Sequence, residues 1–391
     1  MTQVRARRRT VGPLTILLGL LALALNLRAA LAGYPPLLET VRHQLGISAS
    51  AAGLVQASAV LMMAAGSFAG SGIGARFGRE RALGAAVGLV ALGSLVRGVP
   101  ALAALIAGSL VIGFGIGVAG VFLAGVVKEH LGSRAGAATG GYVVSMMVGA
   151  TVASAVAVPL AVLLGGWSYS LAVWAVPAVL AAAAWAPIAA RIPRSAGVPR
   201  APVWRSGFAR LAACFQAGTS LMFYGWLTWL SPYYESQGWS PHKAGLLLAV
   251  WSVAQIPAAL LAPALAERRR RWRFWSLTTL SCGVVGTVGA MVLPELPAVG
   301  AWPWAALMGI GVGAGFPLGL TVIAWRTPDG AASAATSGLA LGVGYIAAGL
   351  GPLLMGLLVD LSGYTAAITV LLVAAAAQIF ATLRIGDPPR P

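Results

Sequence analysis

An arginine stands inside the apolar stretch LALALNLRAALAGYPPLLE, residues 21–39. A charged group at mid-bilayer costs at least ~2.5–3.5 kcal/mol on insertion scales, so such a side chain normally faces a wet interior and acts on something. Arg28 offers a flat fork of N–H donors, which suits a carboxylate or a small oxyanion. The nine acids of the chain all fall in or beside expected loops, which leaves Arg28 without an evident counter-ion inside an apolar run. A solute anion can fill that role. The structural alternative is snorkelling to headgroups, or bonding carbonyls freed around Pro35 and Pro36.

Further polar or amphipathic groups interrupt other apolar runs: Tyr142, Tyr224, Trp229, Gln255 and Tyr345, with Gln56 as a weaker candidate. Each can line a cleft with Arg28, or can be a packing residue with a satisfied polar tip. Asn26 lies two residues before Arg28 and so points about 200° away around a helix. It either touches solute or orients the helix. Trp229 beside SPYYES is also suited to an outer aromatic belt. Lys128, followed by EHL, closes a run and is either a snorkelling anchor or an anion-capture group at the inner mouth. Arg97, at the outer end of a run, reads as an interface residue. No Walker-type glycine loop precedes a lysine, and no nucleophile–base set or metal-ligand spacing is present, so neither an enzyme nor an ATP-driven pump nor a cofactor is expected. Cys214 and Cys282 imply no disulfide framework.

The elements that must carry these groups follow from composition. Hydrophobic residues make up 59% of the 391 and charged residues only 9%, against about 25% charged in soluble domains. Such a chain resides in lipid, where a helical span needs roughly 20 apolar residues. Apolar runs between charge, Gly and Pro clusters predict twelve spans, at 12–35, 50–74, 82–98, 101–127, 136–162, 167–189, 208–232, 243–266, 274–293, 299–325, 333–358 and 363–383. The runs are too long and continuous for a β-barrel. Most of the 51 glycines fall inside them, where small residues allow close helix approach.

The net charge of +17 has a topological pattern that argues against nucleic acid. With the N-terminus placed in the cytoplasm, all of the 26 basic residues except Arg28, Arg42, Arg97 and Lys243 fall in inner segments. That is the positive-inside rule, with anionic headgroups as the partner. The basic start followed by ALA before Gly33 imitates a secretory signal, but Arg28 interrupts its apolar region.

An internal repeat organises the spans. SASAAGLVQASAVLMMAAGSFAGSGIGARFGRER aligns with SPHKAGLLLAVWSVAQIPAALLAPALAERRRR, pairing Gly53 with Gly245 and Arg76 with Arg268. GFGIG at 113–117 then matches GIGVG at 309–313, and AATGG at 137–141 matches AATSG at 334–338. Two six-helix halves follow, 1–190 and 208–391, joined by a basic linker at 191–207. Parallel halves place a solute site near the bilayer midplane between them.

The loop GARFGRERAL resembles the helix 2–3 signature of the major facilitator superfamily, with Arg76, Gly78 and Arg79 in place and Ala75 where an acid is usual. The second copy keeps Glu267 before Arg268. The resemblance implies a latch between the halves on the cytoplasmic side. More narrowly, LNLRAAL, GVVKEHL, FYGWLTWLSPYYESQG, AGLLLAVWSVAQIPAALLAPALAERR, GIGVGAGFPLGL and GVGYIAAGLGPLLMG occur in the order found in the cyanate permease and nitroimidazole transporter family. Ala29, Gly120, Ala124 and Leu341 depart from that family's pattern.

The expectation is a secondary transporter working by alternating access, functional as a monomer in the plasma membrane, for a small anionic or polar solute. A multidrug or nitroimidazole-like exporter of neutral apolar compounds is the first alternative. A transport-dead membrane sensor or scaffold is the alternative of another class. Coupling could use a proton carried with the substrate, a peripheral acid such as Glu39, exchange, or nothing.

Overall fold

The computed structural model describes residues 12–131, 135–192, 205–327 and 330–387. The described chain is helical: α1 (Pro13–Ala32), a short 3-10 turn at Pro35–Leu37, α2 (Leu38–Leu45), α3 (Ala49–Phe77), α4 (Arg79–Val96), α5 (Leu102–Leu131), α6 (Ala135–Leu163), α7 (Trp167–Ala172), α8 (Ala175–Arg191), α9 (Gly207–Ser236), α10 (Pro241–Arg269), α11 (Trp272–Val292), α12 (Trp302–Arg326), α13 (Gly330–Ser362) and α14 (Tyr364–Ile385). With α7 and α8 as one broken span and α2 as a loop helix, these are the twelve expected crossings. Ten stretches are long and apolar enough to span a bilayer on length and composition alone. The crossings outside those ten are α4, which opens on Arg79, Glu80 and Arg81, and α9, which carries Gln216, Thr219, Ser220 and Thr228 within its length.

Two local features depart from the sequence expectation. The run 167–189 breaks at Val173–Trp174, because Pro177 has no N–H to donate to the carbonyl four residues back. The run that begins at 12 ends in α1 at Ala32, and Pro35–Pro36 start a separate turn that leads into α2.

Both halves repeat one packing scheme. In the first, α1 packs on α6 and α8, α3 and α4 on α5, and α4 on α8; in the second, α9 packs on α13 and α14, α10 and α11 on α12, and α11 on α14. Across the halves α3 meets α13 and α6 meets α10. The repeat seen in sequence thus has local causes. Ser48 and Ser240, 192 residues apart, cap α3 and α10 by accepting from the N–H three residues on. Glycines in matching positions admit matching helices: a Cβ on Gly113 would lie 1.9 Å from the Ala59 carbonyl oxygen, and one on Gly309 would lie 2.3 Å from that of Trp251.

These contacts carry a stability prediction. A backbone oxygen cannot give way as a side-chain tip can, and overpacking typically costs about 1–3 kcal/mol. Gly113→Ala and Gly309→Ala are each expected to lower the unfolding temperature of the detergent-purified protein by several degrees. Gly120→Ala, whose Cβ would meet nothing within 4 Å, is the matched control and leaves it unchanged. Equal melting of all three would overturn this account of the glycines.

With twelve crossings, α1 begins and α14 ends on the same side. That side is called proximal below, and the opposite one distal. The halves are knitted at the distal end. Asp360 at the end of α13 accepts from the N–H groups of Ala49 (2.9 Å) and Ser50 (2.8 Å), capping α3 of the other half. Tyr364 of α14 donates to Glu39 Oε1 at 3.1 Å. Gly53 lies against Pro352, and Gly245 against Ser154 and Pro36.

Candidate functional site

α1 is apolar on nearly every face because it packs in the bundle interior, and Arg28 is its only charge. The guanidinium points across the half boundary rather than to headgroups. Its Cζ lies 4.4 Å from the ring centre of Phe223 and 6.0 Å from that of Tyr224, both on α9. Cation–π stacking contributes about 0.5–2 kcal/mol, less than the ~2.5–3.5 kcal/mol that the charge costs at the bilayer centre. No described acid forms an ion pair with Arg28, and its buried Nη1 has no hydrogen-bond partner. Donor capacity is left over.

Around this cation the structure gathers several of the expected groups. Tyr345 on α13 lies within electrostatic range of Arg28, Tyr224 and Tyr142. Tyr224 donates to Met63 Sδ on α3 at 3.7 Å. Phe223 also meets the Trp251 ring, with centroids 5.1 Å apart. Trp251 is buried, and its Nε1 has no partner. Arg28, Tyr142, Phe223 and Tyr345 are each only partly buried. The site is therefore a cation and an indole N–H framed by aromatic rings from α1, α6, α9, α10 and α13, a set able to hold a small planar anion or an aromatic solute.

Gln255 is buried one turn beyond Trp251, with its Nε2 donating to the Trp251 carbonyl at 3.3 Å and its Oε1 unpartnered. It packs on Gly313 of α12. Its counterpart 192 residues earlier is Met63, which packs on Gly117. Gln56 is fully buried with both amide atoms unpartnered. Asn26 turns the other way, donating to Ala22 O at 2.8 Å and Pro177 O at 3.4 Å, so its contacts are to α1 and α8. Trp229 is buried at the distal seam, where its Nε1 donates to Pro352 O at 3.1 Å, and it belongs to no lipid belt.

At the proximal side, Gly78 joins α3 to α4 with φ +85, a conformation that favours glycine. Arg76 is exposed with its Cζ 5.4 Å from the Phe77 ring centre, Arg79 is half-buried, and Glu267 and Arg268 are exposed at the end of α10. The Lys128 side chain and residues 193–204 of the expected linker lie outside the described residues. The buried acid of this loop is Glu80, one position past Arg79; its Oε1 lies 2.9 Å from His130 Nε2, and its carbonyl accepts from Trp185 Nε1 at 2.7 Å. Both contacts stay within one half. Arg97, read from sequence as an interface residue, is instead buried. It donates to Ser109 Oγ (3.1 and 2.6 Å) and to Ala30 O (2.9 Å), because the end of α4 packs against α1 and α5 rather than facing headgroups.

Phe223, Trp251 and Gln216 were not singled out from sequence. Phe223 adjoins Tyr224, and Trp251 sits one turn before Gln255, so helical spacing from residues already chosen would have found both. Gln216, buried with both amide atoms unpartnered, lies two turns before Phe223 on α9.

Comparison with known proteins bears directly on this arrangement. The Major Facilitator Superfamily model matches residues 16–305 and 234–391. The 2-nitroimidazole transporter of Escherichia coli is 33% identical over 356 residues, covering 90% of this chain and 89% of that protein. The cyanate transport protein CynX of the same organism is 31% identical over 359 residues, covering 89% and 91%. Among solved structures, a bacterial homolog of the human lysosomal transporter Spinster superposes with a TM-score of 0.77 at 14% identity, over 97% of this chain and 99% of that one. The chain belongs to the major facilitator superfamily, among its cyanate- and nitroimidazole-type members, and is a multi-pass membrane protein that carries out secondary transport of a small solute.

Proposed function

We propose that the solute is a small anion, bound between the halves with its negative end on Arg28. The observation that carries this reading is a guanidinium at the half boundary, stacked on Phe223, with a buried donor unpartnered and no described acid paired to it. Trp251 Nε1 supplies a second donor, and Tyr142, Tyr224 and Tyr345 frame the body of the solute. Gln255 stands behind Trp251 as polar support. Asn26 and Trp229 act at a distance, Asn26 by fixing α1 against α8 and Trp229 by holding the distal seam.

Transport then proceeds by rocking of two halves, 1–190 and 208–391, joined by the 191–207 linker, about the site between them, which opens alternately to either side. The distal closure and the partial exposure of Arg28 and Tyr142 support access from the proximal side in the state described here. The positive-inside pattern puts that side, and both termini, in the cytoplasm. One chain contains a complete site, so a monomer in the plasma membrane suffices. Arg76, Gly78, Arg79, Glu267, Arg268 and Lys128 form the cytoplasmic rim that closes when the distal side opens. The protein carries out no bond chemistry and needs no cofactor.

The ring lining favours one second reading, in which a neutral aromatic solute is held by stacking and Arg28 is a wall. A thermal-shift screen of purified wild type and Arg28→Gln against acetate, benzoate, cyanate and 2-nitroimidazole separates the two. An anion that stabilises wild type alone supports the first. Equal stabilisation of both proteins by 2-nitroimidazole, with no anion effect, replaces it with the second.

A further inference from the structure

The distal seam holds an acid that the solute site does not use. Glu235 is on the last turn of α9, a 30-residue helix that is about 45 Å long at ~1.5 Å per residue. The apolar core of a bilayer is about 30 Å thick, so Glu235 stands beyond the spanning part, at the rim where α9 meets α2 of the other half. Its Oε1 is buried and has no hydrogen-bond partner. The neighbour across the seam is Glu39. Both Glu39 oxygens accept from Arg42 Nη1, at 2.7 and 3.0 Å, and Oε1 also accepts from Tyr364. Arg42 Nη1 is engaged there, its buried Nε has no partner, and no described ion pair joins Arg42 to Glu235.

We propose that Glu235 is a proton-binding site of the distal gate, occupied when the halves close there and emptied when they part. Closing brings the carboxyl out of water and against a second carboxylate, and both effects favour the neutral form. The groups around it fit that role: Glu39 and Arg42 from α2, Tyr364 from α14, Asp360 from α13 beside Arg42, and Tyr233 and Tyr234 on α9 itself, with Glu295 next to Tyr234. None of the cations makes a contact with the Glu235 carboxylate. Burial first, and Glu39 second, push the Glu235 carboxyl up from 4.5 to about 8 in the closed gate.

The sign follows from linkage. In an open gate Glu235 meets water and returns toward its ordinary value. Between that value and about pH 8 the closed state holds one proton more than the open state, so opening releases a proton. Rising pH through this window weakens closure by up to about tenfold per unit. Above it both states are ionised and the dependence ends. The proton is given up to, and taken back from, the distal face, so Glu235 sets the pH at which that gate opens.

This proposal rests on rocking halves and is independent of the solute's charge, so its test contains no solute. Gln56→Cys, introduced after Cys214→Ala and Cys282→Ala, places a thiol at a fully buried position two turns into α3 from its Asp360-capped end. Its labelling by a membrane-impermeant maleimide from the distal side of oriented proteoliposomes is followed from pH 5.5 to 9, with rates corrected for thiolate fraction using a free thiol. Wild-type Glu235 should give labelling that rises with pH and levels off near pH 8. Glu235→Gln should give slow labelling with no pH dependence. Glu39→Gln, which leaves Glu235 in place, should keep the rise and move its midpoint to lower pH. A pH response that survives unchanged in Glu235→Gln, or its absence from wild type, overturns the proposal.

Discussion

Arg28→Lys is expected to reduce anion flux in proteoliposomes by about tenfold to a hundredfold, and Arg28→Gln to abolish it. The lysine variant keeps the charge, so the loss isolates geometry. A guanidinium can stack on Phe223 with one face and present two parallel N–H groups along its edge, whereas an ammonium offers a point charge on a flexible stem. Hydrogen bonds to charged groups contribute about 1.5–3 kcal/mol each, and loss of one accounts for the range. The measurement is initial uptake of whichever of acetate, benzoate or cyanate stabilises the wild-type protein. Phe223→Leu should show a smaller defect, because it removes the stack and leaves the fork. Wild-type uptake by Arg28→Gln would end the case for an anion site.

Asp360→Ala should loosen the distal seam more than any other single change there. The carboxylate caps α3 from the opposite half with two bonds at 2.9 and 2.8 Å. A helix cap is typically worth about 1 kcal/mol, and up to about 2; the charge at a helix N-terminus adds to it. Opening on that side breaks the cap, so its loss shifts the gate equilibrium about tenfold to a hundredfold toward the distal-open state. Accessibility of a thiol at position 56, assayed at a single pH, should rise by that factor. The Arg28 site should keep its affinity, since none of its groups touches Asp360. Unchanged accessibility would mean that glycine packing alone holds the seam.

Much of the fold was legible in sequence because lipid imposes a simple rule. Apolar length marks ten of the crossings among the described residues. Even the repeat was visible as letters, since a serine cap and a close-packed glycine each tolerate few substitutes. The candidate site is legible at its charge and in part of its ring lining, Tyr142, Tyr224 and Tyr345. Arg28 stands out because nothing else in its run is charged, but an aromatic residue reads the same in a cavity wall as in a lipid face. Phe223 goes unmarked for that reason, and Trp229, which in sequence suits either a cleft or an outer belt, is instead buried against Pro352. Arg97 shows the converse. A cation at the end of a run looks like an interface anchor until the helix packing reveals Ser109 and the Ala30 carbonyl beside it. Pairing across the seam, such as Asp360 with α3, depends on distances between residues 311 and 310 positions apart, which no local pattern encodes.

The repeat is not perfect where it matters mechanically. By the offset that aligns AATGG with AATSG, the position in α6 equivalent to Asp360 is Leu163, an exposed apolar residue that can offer nothing to the start of α10. One edge of the distal interface is therefore fastened by a charged cap, and its symmetry-related edge has packing in that place, with Gly245 against Ser154 and Pro36. Such a joint is expected to part like a door, swinging on the α3–α13 edge while the α6–α10 edge leads, so that the first path for water runs along α10.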